Sequence, residues 1–175
     1  MSTYTYAFKD LKENMAKSVG RDLNISFKQA IEIAGMLRNK ELEKAQQALK
    51  RVLAFEQAVP FKRFTNGLGH KPGISSGRYP QRACTAILKV LNEVEANSQN
   101  KGLGKCRIIH IRAQQASRPM HYGRKMRTRM KRAHVEVVVQ EIEPAKGKRE
   151  QKSEQKQDKK EEKTRLEKQG GENKA

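Results

Sequence analysis

Between Glu95 and Glu136 the chain has no acidic residue, and the same stretch holds eleven Lys or Arg: Lys101, Lys105, Arg107, Arg112, Arg118, Arg124, Lys125, Arg127, Arg129, Lys131 and Arg132. Like charges at that density repel one another, and none enters an apolar core without a partner. Any fold open to this chain must carry most of the segment on its outside. A second acid-free window, Gln57 to Asn92, holds Lys62, Arg63, Lys71, Arg78, Arg82 and Lys89. The acids gather in the N-terminal helices, the last strand and the tail. Solubility explains a mixed surface; it does not explain two long windows of one sign.

The 175 residues carry a formal charge of +19, with 35% hydrophobic residues and no Trp, so the core is small and aliphatic. A solvated monomer gains nothing from such self-repulsion, which points to a polyanionic partner, nucleic acid or an anionic membrane. No apolar run approaches the roughly 20 residues of a spanning helix, and MSTYTYAFKD lacks a signal layout. The expectation is a soluble protein inside the cell. Cys84 and Cys106 form no CxxC pair, so both read as reduced thiols, one helical and one at a strand start.

Residues 144–175 hold eleven basic and seven acidic residues, with Leu166 the only large aliphatic. Such a segment cannot offset its ordering entropy by burial, and it reads as a charged disordered tail. Residues 1–143 remain as the folded domain that would meet the polyanion.

Along that domain, Tyr4, Tyr6 and Phe8 alternate with Thr3, Thr5 and Ala7, which predicts a strand at about 3–9. Leu11 to Val19 reads as a short helix closed by Gly20. Ser26 stands as an N-cap, ahead of a helix at about 26–38 with Ala30, Ile31, Ala34 and Leu37 on one face. Leu42, Ala45, Leu49, Val52 and Leu53 mark a second helix, about 41–56. A Gly-rich loop fills 61–78. Pro80, at a favoured first-turn position, opens a third helix, about 80–98, with Ala83, Ile87, Val90, Leu91 and Val94 buried. Strands follow at about 105–116 and 133–142. In the first, Arg107, Ile109, Ile111 and Ala113 share a face; in the second, Val135, Val137 and Val139 do. The fold class is α+β: about three helices on a three-stranded antiparallel sheet, with a long protruding β-hairpin. The connection of about 20 residues exceeds an ordinary hairpin loop; it is a hairpin projecting past the body or a long flexible finger, about 112–135.

In SRPMHYGRKMRTRMKR, residues 117–132, Arg outnumbers Lys, and His121 and Tyr122 add stackable rings. Arg grips phosphate with a planar fork and stacks on bases. Arg interleaved with rings suits looped RNA, whose bases are unstacked. A membrane surface fits worse, since the segment has no apolar helical face. The loop VPFKRFTNGLGHKPGISSGRYP lacks the GK[ST] ending of a phosphate-binding loop. It is an irregular linker, or, through Lys62, Arg63, His70, Lys71 and Arg78, it threads between RNA helices. Catalysis finds little support. His70, His110, His121 and His134 are scattered, without metal-pair spacing, and the basic windows hold no carboxylate to orient one. No cofactor and no metal are expected.

Four stretches carry a family resemblance: AVPFKRFTNGLGH, GRYPQRACTAILKVLNEVEANSQNKGL, CRIIHIRAQQASRPMHYGRKMRTRMKRAHVEVVVQE and, less sharply, NISFKQAIEIAGMLRNKELEKAQQAL. Together they cover roughly residues 3–142. In that order they resemble large-subunit ribosomal protein twenty-two, called seventeen in older eukaryotic usage. The insert from Thr65 to Gly77 and the Tyr79-Pro80 helix start look like the archaeal and eukaryotic branch, and the insert's shortness leans archaeal. The resemblance implies a cytoplasmic structural constituent of the large ribosomal subunit, with an α+β body near the tunnel exit. Its hairpin would reach inward through ribosomal RNA, bridging RNA domains during assembly, beside neighbouring ribosomal proteins.

RNA contact is then expected from Lys62, Arg63, His70, Lys71, Arg78, Arg82, Arg112, Arg118, His121, Tyr122, Arg124, Lys125, Arg127, Arg129, Lys131 and Arg132. The resemblance also implies a tunnel-lining tip that meets the nascent polypeptide: His121, Tyr122, Gly123, Arg124, Lys125, Met126 and Arg127. A free-standing RNA chaperone or regulator is the alternative.

Overall fold

Alternating valines build the centre of the molecule. In the computed structural model, which describes residues 4–142, Ala133–Glu141 forms strand β6. It pairs antiparallel on one side with β1, Met15–Leu23, and on the other with β5, Cys106–Gln115. A central strand buries both faces, and Val135, Glu136, Val137, Val138 and Val139 are all buried.

Three helices cover one face: α1 (Phe27–Leu37), α2 (Leu42–Leu53) and α3 (Gln81–Asn100). Their apolar stripes meet Val135, Val137, Val139, Ile108 and Ile111 in one core. The stripe expected on α3 is buried throughout, with Cys84 added. On α1 it is shifted: Ile33 is fully buried and Ile31 half-exposed. Fully burying each Val, Leu or Ile contributes about 1.5–3 kcal/mol.

Several expectations at the N-terminus fail. The third strand of the main sheet is Met15–Leu23, and residues 4–9 form no strand. The segment Leu11 to Val19 is not a helix. Met15, Ala16 and Val19 fit a helical stripe as well as a strand, and pairing along β6 decides between them; tertiary context overrides so weak a local preference. Gly20 closes no helix. It lets α3 approach β1, for a Cβ there would meet Val90 Cγ2 at 2.6 Å.

The aromatic alternation serves another purpose, because residues 4–8 lie over the sheet face opposite the helices. Tyr4 packs edge-on against Tyr6 and His134, and Phe8 lies 5.5 Å from His110. Beneath them the buried Glu136 carboxylate accepts from Tyr4 Oη at 2.5 Å, Ala7 N at 2.9 Å and Gln114 Nε2 at 2.5 Å. Three donors meet the demand of a buried charge for hydrogen bonds.

Smaller departures have local causes. Ser26 occupies the N-cap of α1, but its hydroxyl makes no capping bond; its carbonyl accepts from Ala30 N at 2.9 Å. Pro80 sits one place before the first turn of α3. Ile109 is an extra residue in β5: Ile108 pairs with Val139 and His110 with Val138. The bulge flips the alternation, so Cys106 and Ile108 face the core ahead of it and Ile111 and Ala113 after it. The Gly-rich loop is not irregular throughout. It contains β3 (His70–Lys71) and β4 (Ile74–Arg78), and with β2 (Val59–Pro60) they make a second sheet in the order β2–β4–β3. The expected tail, 144–175, lies outside the described residues.

Candidate nucleic-acid interface

Strands β5 and β6 leave the body at Gln115 and Ala133, and the hairpin continues beyond them. Ala116 N donates to Arg132 O at 3.3 Å, Met130 N to Pro119 O at 2.8 Å and His121 N to Thr128 O at 2.9 Å. The tip closes with a 3₁₀ turn, Gly123–Lys125, entered through Gly123 at φ 64°, a left-handed conformation that glycine adopts without strain. Thr128 locks the turn, its Oγ1 donating to Lys125 O at 2.8 Å. Of the two alternatives left open by the sequence, the structure shows the hydrogen-bonded hairpin.

This arm hides almost nothing. From Ser117 to Lys131 only His121 and Met130 are even half-buried. Arg118, Arg124, Lys125, Arg127, Arg129 and Lys131 are exposed, and Arg132 is half-buried at the root. Among the described residues the one side-chain ion pair is Glu41–Lys44, so no cation of the arm is paired. Tyr122 is 86% exposed and Met126 63%, apolar surface beside the charges at the tip.

A second basic element depends on another buried carboxylate. Glu32, on α1, accepts from Lys62 N at 3.1 Å, Arg63 N at 2.8 Å and Phe64 N at 2.9 Å. These bonds pin the turn and leave the Lys62 and Arg63 side chains outside. Arg63 lies over the Phe64 ring at 5.5 Å, and Lys28 lies over it at 5.4 Å. Lys28 also lines a cavity with Arg118, Lys131 and Arg132, so α1 joins the two acid-free windows into one basic surface.

The other expected residues spread further. His70 and Lys71 are exposed on β3, with Lys71 over the Tyr79 ring at 5.4 Å. Arg78 is partly occupied within the loop, donating to Gly67 O at 3.2 Å. Arg82 stands apart, with Arg21 and Lys89 around an open groove between β1 and α3. Arg112 is exposed on β5, opposite Glu136 in the pairing and short of the arm. Sequence reasoning passed over Glu32, Lys28 and Arg21 as site residues. Nothing local distinguishes them; their importance comes from what the fold places beside them.

The shifted titratable groups are governed first by burial. Burial pushes the Cys84 thiol up to about 12 and raises Cys106 as well. Burial holds the His110 imidazole below its ordinary range. The Tyr4 hydroxyl is pushed up, first by burial and then by its bond to Glu136. Among the described residues no three His, Cys, Asp or Glu side chains gather as metal ligands, and no helix is long and apolar enough to cross a membrane.

The family model described as Ribosomal protein L22p/L17e matches residues 18–140, from β1 through both basic windows to the end of β6. The chain belongs to this family. It is 35% identical over 157 residues to the large ribosomal subunit protein uL22 of Staphylothermus marinus, covering 82% of this chain and 100% of the relative. The uL22 of Methanosphaera stadtmanae is 37% identical over 150 residues, 80% of this chain and 97% of the relative. That of Archaeoglobus fulgidus is 39% identical over 118 residues, 65% and 76% of the two chains. These archaeal relatives agree with the branch indicated by the insert. Members of the family are structural ribosomal proteins.

Proposed function

We propose that this chain is a structural constituent of the large ribosomal subunit in the cytoplasm, that it binds ribosomal RNA and aids subunit assembly, and that it is not an enzyme. The observation that carries the reading is the arm: a hydrogen-bonded hairpin whose cations have no acid partner among the described residues. Ribosomal RNA supplies the missing negative charge. Each phosphate contact releases counterions, which makes the affinity salt-dependent. The arginine forks orient on phosphates, while Tyr122 and His121 offer rings to unstacked bases. Glu32 holds the Lys62–Arg63 turn ready for a second RNA segment, and Lys28 bridges the two.

The finer assignment follows the resemblance. Residues 121–127, His121 to Arg127, form the tip that lines the exit tunnel and meets the nascent polypeptide, and the body sits among neighbouring proteins near the exit. Charged residues 144–175 add little to incorporation. The test is co-sedimentation of tagged protein with large subunits after a high-salt wash, joined to a subunit map of residues 117–133. Retention with the arm threaded through RNA is the expected result. Protein that washes off, or an arm lying in water, overturns the reading in favour of a free-standing RNA chaperone. Cleavage of RNA by the purified protein would overturn the non-enzymatic assignment.

A further inference from the structure

At the root of the arm the body and the hairpin line a half-open cavity of about 390 Å³. Its walls come from α1 and the arm: Ser26 at the N-cap and Phe27 and Lys28 on the first turn of α1, Gln115 at the end of β5, and Arg118, Lys131 and Arg132 on the arm. The volume falls within the roughly 300–1,000 Å³ of ordinary small-molecule clefts. Four of these seven residues are cations and none is acidic. Phe27, half-buried, supplies the one aromatic wall, and Gln115 supplies an amide with both donor and acceptor. An inorganic anion would use the cations and leave the ring and amide idle. A stretch of paired RNA would meet the cations along its backbone, and its bases would stay in their stack.

We infer that this cavity receives a single unpaired nucleotide of RNA, its base against the Phe27 ring and its polar edge toward Gln115. The flanking phosphates lie on Arg118, Lys131 and Arg132. The inference rests on the RNA-binding reading and deepens it. The exposed arm holds RNA through charge and through rings open to any base, indifferent to sequence, whereas this cavity surrounds one base and thereby sets where along the RNA the arm begins. Stacking on an aromatic side chain tolerates any base, because every base has a π-face; an amide beside the ring adds a preference.

The test uses the full chain and two probes of equal charge: a single-stranded RNA pentamer of adenosine and the same ribose-phosphate pentamer without bases. Binding is followed at about 0.15 M salt through the backbone amide NMR signals of Lys28 and Gln115. The expected result is that the intact pentamer binds about tenfold more tightly than the abasic one, the size of one stacked base. In Phe27→Leu, which keeps an apolar wall, the gap falls below about twofold, while the abasic pentamer binds as before. In Arg118→Gln both probes weaken together. Equal affinity of the two probes for the unaltered protein overturns the inference, as does a gap that persists in Phe27→Leu. Filter binding to a large-subunit ribosomal RNA transcript runs in parallel: if the transcript binds and the pentamers do not, the cavity assignment fails and the RNA-binding reading stands.

Discussion

The same two strands run through two different worlds. Within the body, β5 and β6 carry Ile108, Ile111, Val135, Val137 and Val139 against the helices, and burial holds them. Past Gln115 and Ala133 the hairpin keeps its backbone ladder but loses its core, and its side chains become exposed cations. The body satisfies its buried carboxylates internally: Glu32 and Glu136 each take three donors from the protein. The arm's cations have no acid partner among the described residues. The lesson is that a hairpin's shape can be set by backbone pairing while its energetics are handed from the apolar core to an outside polyanion.

The largest expected effect separates the two regions most sharply. The triple change Arg124→Glu, Arg127→Glu, Arg129→Glu should lower affinity for large-subunit ribosomal RNA on the order of 100-fold at 0.15 M salt. Thermal unfolding should move by no more than about 2 °C, since exposed residues without partners contribute little to stability. Filter binding and a melting curve check both halves; a large fall in melting temperature would erase the contrast. Glu32→Ala should do the reverse. It strands three backbone donors and should cost about 3 kcal/mol in urea denaturation, while RNA affinity of the folded protein falls by roughly tenfold or less, the share of Lys62 and Arg63.

Gly20→Ala sharpens the picture of the body. Its added Cβ would lie 2.6 Å from Val90 Cγ2 and 2.8 Å from Leu23 Cδ1. Such overpacking costs about 1–3 kcal/mol, read as a lower urea midpoint with unchanged RNA affinity at low temperature. The smallest effect is one of pH. Burial lowers the pKa of His110 below its ordinary value of 6.5; Arg112 and Arg38 push the same way and Glu136 opposes them. The unfolded chain therefore binds the proton more readily, and stability falls as pH drops through 6.5 toward the folded value. Above 6.5 the contribution is fully present. Urea midpoints between pH 7.5 and 5.5 should fall more for the native protein than for His110→Gln; equal slopes would remove His110 as a source.

Some of this was legible from residue order. The stripe on α3, Ala83 to Val94, repeats over about three turns of helix, and β6 alternates cleanly, so both announce themselves. The arm's exposure follows from charge alone. Strand β1 was not legible, because its few apolar residues suit two periods and only pairing with Val135–Gln140 chooses. The bulge at Ile109 was hidden as well, since a run of Ile108, Ile109 and Ile111 does not say which isoleucine is the extra one. Within the candidate site, the arm's cations were found by sign, whereas Glu32 and Lys28 look like ordinary helix residues until the fold brings Phe64 beside them.

By itself, then, the order of residues determined which parts of this protein must be wet, which helices must be buried, and that its partner is negatively charged. Charge and periodicity are properties of neighbours along the chain. Only the tertiary structure decided which segment completes the main sheet, which carboxylates are buried and satisfied, and how α1 joins the two basic windows. Those outcomes depend on groups 30 residues apart, as in Glu32 with Lys62, or 132 apart, as in Tyr4 with Glu136, and no local pattern records such a meeting.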